Sequence, residues 1–301
     1  MPFLSKINPF AMTETETNIN AGVRRGWFSE CANAACTTGW LQIWRNRQLP
    51  VFEGKWACSE GCMRALIASA VTRETRHVGP LAPLAYAHRV PLGLVLMRQG
   101  VLEHSVLRDG LKAQRMGYTN LRIGEWLVAE NKLRESEVAR GLGEQWSCPV
   151  LPDQGFEAVL SARLIPRIFS EAFGALPLRI AGGVLLYVAF RGQIDPCVTL
   201  GIEQVTGLRV EAGVMEDRAF DRCYGELMQA RTPKLRLLEA ERETAVVHAL
   251  SRTIESAKPS EARLARIHDF LWLRMWHTPP VGPYPTLAQV EDVVCSFGRG
   301  E

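Results

Sequence analysis

The sequence predicts an α+β protein of several modules: a small zinc finger, a helical tandem repeat, a small α/β sandwich and a C-terminal α+β extension. Three observations carry this. Cys31, Cys36, Cys58 and Cys62 stand in two close pairs near the N-terminus. Residues 91–114 align without gaps on 122–145. Beyond them, helical periodicity and strand-type runs alternate, as two-layer folds require.

Length and composition bound the rest. At 301 residues the chain has room for two domains or a string of smaller modules. With 47% hydrophobic and 22% charged residues it can bury an ordinary core. The balance of 35 basic against 32 acidic residues, a net charge of +3, lacks the concentrated positive field of a tight DNA binder, so nucleic acid is not the expected partner. No window has the roughly 18 uninterrupted apolar residues of a membrane span, and 176–190, the longest candidate, is interrupted by Arg179 and Gly182-Gly183. The opening residues lack the apolar core of a secretory signal, so a cytoplasmic protein is expected.

Residues 1–24 are polar and aperiodic and read as a tail. Residues 25–76 form the expected zinc module. Cys31-x4-Cys36 and Cys58-x3-Cys62 supply four thiolates, enough for one tetrahedral zinc. Between them, Leu49-Pro50 and Glu53-Gly54 punctuate two short strands, and Cys62 opens an apolar helical run whose N-terminal dipole favours a thiolate. This order resembles a treble-clef zinc finger. Four thiolates close the coordination shell, so the metal's expected role is structural. Four buried free thiols are the alternative. Cys148, Cys197, Cys223 and Cys295 stand singly and read as packing residues.

After a Pro-rich connector come the repeats, over 87–150. Each unit reads as a short helix, a stop at Gly100 or Asn131, then a second helix with apolar residues at i, i+4: Leu107 and Leu111, or Val138 and Leu142. Residues 151–231 read as a helix over 157–173, a hairpin turning at Gly182-Gly183, a helix near 196–207, a strand at 209–214 and a helix at 217–230. The extension, 232–301, begins with a charged helix over 235–256. Residues 262–276 fit a helix through Leu264, Ile267 and Leu271, or two strands turning at His268-Asp269; the strands are preferred.

The repeat carries a resemblance. Leu92-Gly93, Gly100-Val101-Leu102, Leu107, Leu111 and Gln114, then Arg122-Ile123-Gly124, Lys132-Leu133, Val138, Leu142 and Gln145, resemble the paired motifs of the N-terminal domain of type II secretion and type IV pilus assembly ATPases. The likeness extends to about residue 231 through Leu164-Ile165-Pro166 and the following hairpin. It implies a bacterial regulatory or adaptor protein, and a surface that in some members binds cyclic di-GMP. The implied nucleotide contacts are Arg89, Leu92, Gly93, Leu107, Leu111, Gln114, Arg122, Ile123, Gly124, Val138, Leu142 and Gln145. Glycine lets a purine or phosphate approach the backbone, leucines cover base and ribose, and Arg and Gln supply polar anchors. The first unit departs from the pattern: Pro91 stands where Arg should open it, with Arg89 two residues away, and Asn131 replaces the second unit's glycine.

No G-x-x-x-x-G-K-[ST] loop occurs; Gly54-Lys55 is followed by Trp56, with Leu49 at the first glycine position. With no Ser/His/Asp set either, the chain is expected not to be an enzyme. The leading expectation is an adaptor that senses cyclic di-GMP or docks onto a secretion or pilus machine. The rival is a protein–protein scaffold with a degenerate nucleotide site. DNA binding by the zinc module is a weaker third, since its helix carries few basic residues along one face.

Overall fold

A computed structural model describes residues 31–37, 50–76, 89–279 and 282–297. The expected tail, most of the segment between the cysteine pairs and most of the Pro-rich connector lie outside them.

The architecture is mixed α+β with two sheets. Five strands run in the order β1 (Val51–Phe52), β6 (Glu261–Ile267), β7 (Phe270–Trp276), β8 (Val290–Phe297), β5 (Lys234–Ala240). β6–β7 and β7–β8 are antiparallel, while β1 joins β6 and β5 joins β8 in parallel. The hairpin turns where expected, at His268, whose φ of 51° is the left-handed conformation a tight turn requires. β7 is apolar on both faces because both are covered. Leu271, Leu273 and Met275 meet helices α1 (Glu60–Arg76) and α10 (Glu243–Ala257) through Ile67, Val71, Val246 and Leu250. Trp272 and Trp276 face a second core with Leu164, Phe169, Val188, Phe190, Val198 and Ile202.

That second core belongs to the three-stranded sheet, β2 (Ala175–Ala181), β3 (Leu185–Phe190) and β4 (Arg209–Val214). α7 (Arg167–Phe173) and α8 (Pro196–Thr206) contribute Phe169, Val198 and Ile202 to it. On the sheet's other side Leu176, Leu178 and Ala189 pack with Phe220, Cys223 and Leu227 of α9 (Asp217–Gln229).

Three expectations change. The helix expected over 235–256 starts only at Glu243; its first part is β5, held as a strand by pairing from Lys234↔Glu291 to Ala240↔Phe297. The helix over 157–173 breaks into α6 (Ala158–Ser161) and α7, because Pro166 has no N–H to continue it and caps α7 instead. The module read at 25–76 is not set apart: its described residues 50–76 share a core with the C-terminal strands. Phe52, Cys62 and Ile67 are buried with Leu264, Leu273 and Cys295, and β1 extends the C-terminal sheet.

A buried ion pair ties the five-stranded sheet to the segment before α7. Arg274 and Asp292 are 1% and 2% exposed on their side chains and bond at 2.8 Å through both Nε and Nη2. Arg274 Nη1 also donates to the Leu164 carbonyl at 2.7 Å, and Trp272 Nε1 donates to Asp292 at 2.8 Å. Each guanidinium nitrogen of Arg274 and the Trp272 indole N–H thus has an acceptor, the condition under which a buried pair is tolerated. Arg274→Met should cost about 3–5 kcal/mol by leaving the Asp292 charge uncompensated, whereas Arg274→Met with Asp292→Leu should recover most of it. Denaturant midpoints of the two variants provide the comparison.

A second pair joins the two sheets at their rim. Asp195 caps α8 by accepting the Cys197 and Val198 amides, and His268 Nε2 lies 2.6 Å from its carboxylate, its ring stacked on Phe173. The Asp195 hydrogen bond raises the His268 pKa above its ordinary 6.5. Burial acts to raise Asp195, but the His268 bond and the α8 amides outweigh it and take the carboxyl below 3.8. The His268 contribution is therefore complete below pH 6.5 and lost as pH rises through the elevated folded value; that of Asp195 is complete above pH 3.8 and lost as pH falls through the depressed one. The stability difference between the native chain and His268→Gln should be greatest from pH 3.8 to 6.5 and shrink on either side, as urea titrations across pH would register.

Candidate functional site

The four N-terminal cysteines converge. Their Sγ atoms lie within 4.8 Å of one another, with Cys36–Cys58 at 3.5 Å and Cys58–Cys62 at 3.7 Å. A tetrahedral zinc with bonds of about 2.3 Å places its sulfurs about 3.8 Å apart, so the donor set fits the ion. Local backbone explains the convergence. The first pair turns through Cys36 N–H to the Asn33 carbonyl at 2.9 Å, and the Ala32 amide anchors it to the Trp56 carbonyl at 2.9 Å. Glu53 and Gly54, both at positive φ, reverse the chain between Phe52 and Lys55, and Cys62 sits in the first turn of α1. Hydrogen bonding from Ser59 and then Asn33 holds the Cys62 thiol below its usual range despite burial, favouring the ligating form. Asn33 Nδ2 reaches Cys62 Sγ at 3.3 Å.

The remaining cysteines lie apart from this cluster. Cys223 and Cys295 are buried, Cys148 and Cys197 half-buried, and desolvation pushes all four thiols up.

The tandem repeat forms α2 (Leu92–Arg98), α3 (His104–Arg115), α4 (Ile123–Ala129) and α5 (Glu135–Trp146). Gly100 and Asn131 stop the first helix of each unit at φ 73° and 51°. The units close on each other reciprocally. Gln114, ending the first unit, donates to the Leu121 carbonyl at 2.7 Å, and Gln145, ending the second, donates to the equivalent Val90 carbonyl at 2.7 Å.

Their small residues serve packing. A Cβ on Gly93 would lie 2.6 Å from Leu107, and one on Gly124 would lie 2.9 Å from Val138. Gly141 and Gly110 admit Leu92 and Leu96, and Ile123 and Trp126, from the other unit. Of the twelve nucleotide candidates, Leu92, Leu107, Ile123, Val138 and Leu142 thus meet in one apolar cluster, with Gly93 and Gly124 buried beside it. Leu107 and Val138 keep only 8% and 4% of their surface exposed. Leu111, by contrast, is 38% exposed and outside the cluster.

The polar candidates sit around the rim. The Arg122 amide is capped by Glu125 at 2.9 Å and its guanidinium pairs with the same carboxylate at 3.2 Å. Its Nη1 faces the loop after β3, 3.1 Å from where a Cβ on Gly192 would lie. Beside it, burial and then the Glu125 charge push Asp217 up, with Arg191 and Arg122 opposing. Pro91 explains the missing arginine of the first unit: it has no amide to cap, and Leu94 replaces the capping glutamate. Arg89 does not fill that place. It stacks on Trp146 at 3.8 Å and donates to the Gln145 carbonyl at 3.0 Å, at the C-terminal end of α5 where a cation is favoured.

Sequence reasoning missed the Asp195–His268 pair, whose members lie 73 residues apart. The capping pattern Arg-x-x-Glu, present at Arg122–Glu125 and Arg134–Glu137 and absent after Pro91, was a readable signal.

No family model matches the chain, and no curated protein matches it. Among solved structures it is similar to MshE with cdg, at 21% identity over 46% of this chain and 99% of that chain, with a TM-score of 0.37. It is also similar to the N-terminal domain of XpsE, at 14% identity over 45% of this chain and 92% of that chain, with a TM-score of 0.33. At these scores neither likeness assigns a role to any residue.

Proposed function

We propose that this chain is a non-catalytic regulatory or adaptor protein of a secretion or pilus type of machine, in which the tandem repeat takes up a cyclic dinucleotide and the cysteine cluster holds a structural zinc. The carrying observation is the reciprocal closure of the two motif units through Gln114 and Gln145. It sets equivalent helices about a shared apolar centre, a two-sided arrangement matched to a two-fold ligand such as cyclic di-GMP. Arg122 and Gln145 would anchor phosphate and base, with the half-buried Leu92 and Ile123 against the purine. The absence of a phosphate loop in the sequence supports a binding role over ATP hydrolysis.

A protein–protein scaffold is the second reading. Pro91 in place of an arginine favours it, as do the burial of Leu107 and Val138 and the use of both glutamines on backbone carbonyls.

Calorimetric titration with cyclic di-GMP, with GTP as control, separates the two. The receptor reading expects specific heat that weakens about tenfold to a hundredfold in Arg122→Ala or Gln145→Ala, the loss of one charge-assisted or buried polar contact. No heat for the native chain assigns the repeat to a scaffold.

For the cysteine cluster, protein purified under reducing conditions should contain one zinc ion per chain by elemental analysis, lost in Cys58→Ser. Because Cys62 is buried with the α1 and C-terminal strand residues, chelation should lower the melting temperature of the C-terminal sheet as well. Metal-free protein with all eight cysteines titrating as thiols would refute the zinc assignment.

A further inference from the structure

We propose that the loop between α3 and α4, with the exposed face of α3, is a peripheral docking site for an anionic lipid surface. This goes beyond the nucleotide reading and does not depend on it.

Residues 110–124 contain Lys112, Arg115 and Arg122 and no acidic residue. Arg122 is committed to Glu125, but Lys112 and Arg115 are exposed and form no ion pair among the described residues. Arg108, one turn before Lys112, is likewise exposed; Asp109 is the one acidic residue on α3. Large apolar groups that the fold leaves uncovered are interleaved with these cations along the chain. Met116 is 57% exposed, Tyr118 76% and Leu121 41%, with Leu111 at 38% on the same helix face as Arg108 and Arg115.

The loop backbone is closed by its own hydrogen bonds. Tyr118 N–H reaches the Ala113 carbonyl at 3.0 Å, Leu121 N–H reaches Thr119 Oγ1 at 3.1 Å, and Gln114 holds the Leu121 carbonyl. The apolar side chains are therefore presented outward by a defined turn.

The second unit supplies an internal comparison. Its equivalent loop puts Ser147 and Pro149, both exposed, in place of Met116 and Tyr118, and the chain then turns inward at Leu151, 4% exposed, its amide bonded to the Val214 carbonyl of β4 at 2.7 Å. Gly213 of β4 makes that close approach possible, since a Cβ there would lie 2.6 Å from both Leu151 and the Pro149 carbonyl. Unpaired cations interleaved with a Tyr, a Met and two Leu side chains complement an anionic headgroup layer over hydrocarbon, with tyrosine at the depth it prefers. An acidic protein segment would satisfy the cations but leave the projecting apolar tip without a matching depth of apolar solvent.

The test is co-sedimentation of the full chain with phosphatidylglycerol–phosphatidylcholine vesicles and with pure phosphatidylcholine vesicles. Binding is expected only to the anionic vesicles, falling as salt rises. Lys112→Gln and Arg115→Gln should each weaken it about fivefold, and Tyr118→Ser should weaken it without changing the salt dependence. Arg252→Gln, removing the same charge from the exposed side of α10, should leave it within about twofold. Circular dichroism confirms that each variant is folded. Equal binding to neutral vesicles, no binding to anionic ones, or unchanged binding by the Lys112 and Arg115 variants overturns the proposal. Retention on immobilised poly-glutamate without vesicle binding reassigns the patch to an acidic protein partner and also overturns it.

Discussion

The structure depends on β7 being covered on both faces. A strand reading Phe-Leu-Trp-Leu-Arg-Met-Trp cannot expose either side to water, so it must lie between two layers. The N-terminal segment supplies one layer through α1, together with α10; the small sandwich supplies the other through α7 and α8. Arg274 is the price of polarity at that centre, and its three partners, Asp292, Leu164 and Trp272 by way of Asp292, make the strand a junction between sheet and sandwich. Residues far apart in sequence are thereby obliged to fold together.

The cysteine cluster stands at the edge of the same core. Cys62 is buried with Met63 and Ile67 while Cys31, Cys36 and Cys58 pack against it. A metal there would close the chain's N-terminal segment onto α1, and α1 onto the C-terminal strands, so its binding energy would act on more than the knuckle itself. The module is thus an outer layer of the C-terminal sheet.

The repeat obeys a different logic. Its glycines are required by side chains from neighbouring helices, and its glutamines are held by backbone carbonyls of the opposite unit. The two units are equal frames that differ at a few positions. Pro91 removes an amide and with it the need for the Arg–Glu cap, and the loop after the second unit meets β4 at Gly213.

By itself, the sequence determined whatever short-range periodicity and turn chemistry control. The helix stops at Gly100 and Asn131, the Gly182-Gly183 hairpin, the His268 turn and the grouping of Cys31, Cys36, Cys58 and Cys62 were all legible, because positive φ, strand alternation and cysteine spacing are local properties. What tertiary structure alone decided is non-local. Lys234–Ala240 became a strand because β8 offered an edge to pair with, against its local helical pattern. The leucines and glycines of the repeat could be read equally as a ligand bed or a core, since burial depends on which helix lies across them. The union of residues 50–76 with the last strands, and the meeting of Asp195 with His268, follow from β7 needing cover on two sides, a requirement that no window of sequence contains.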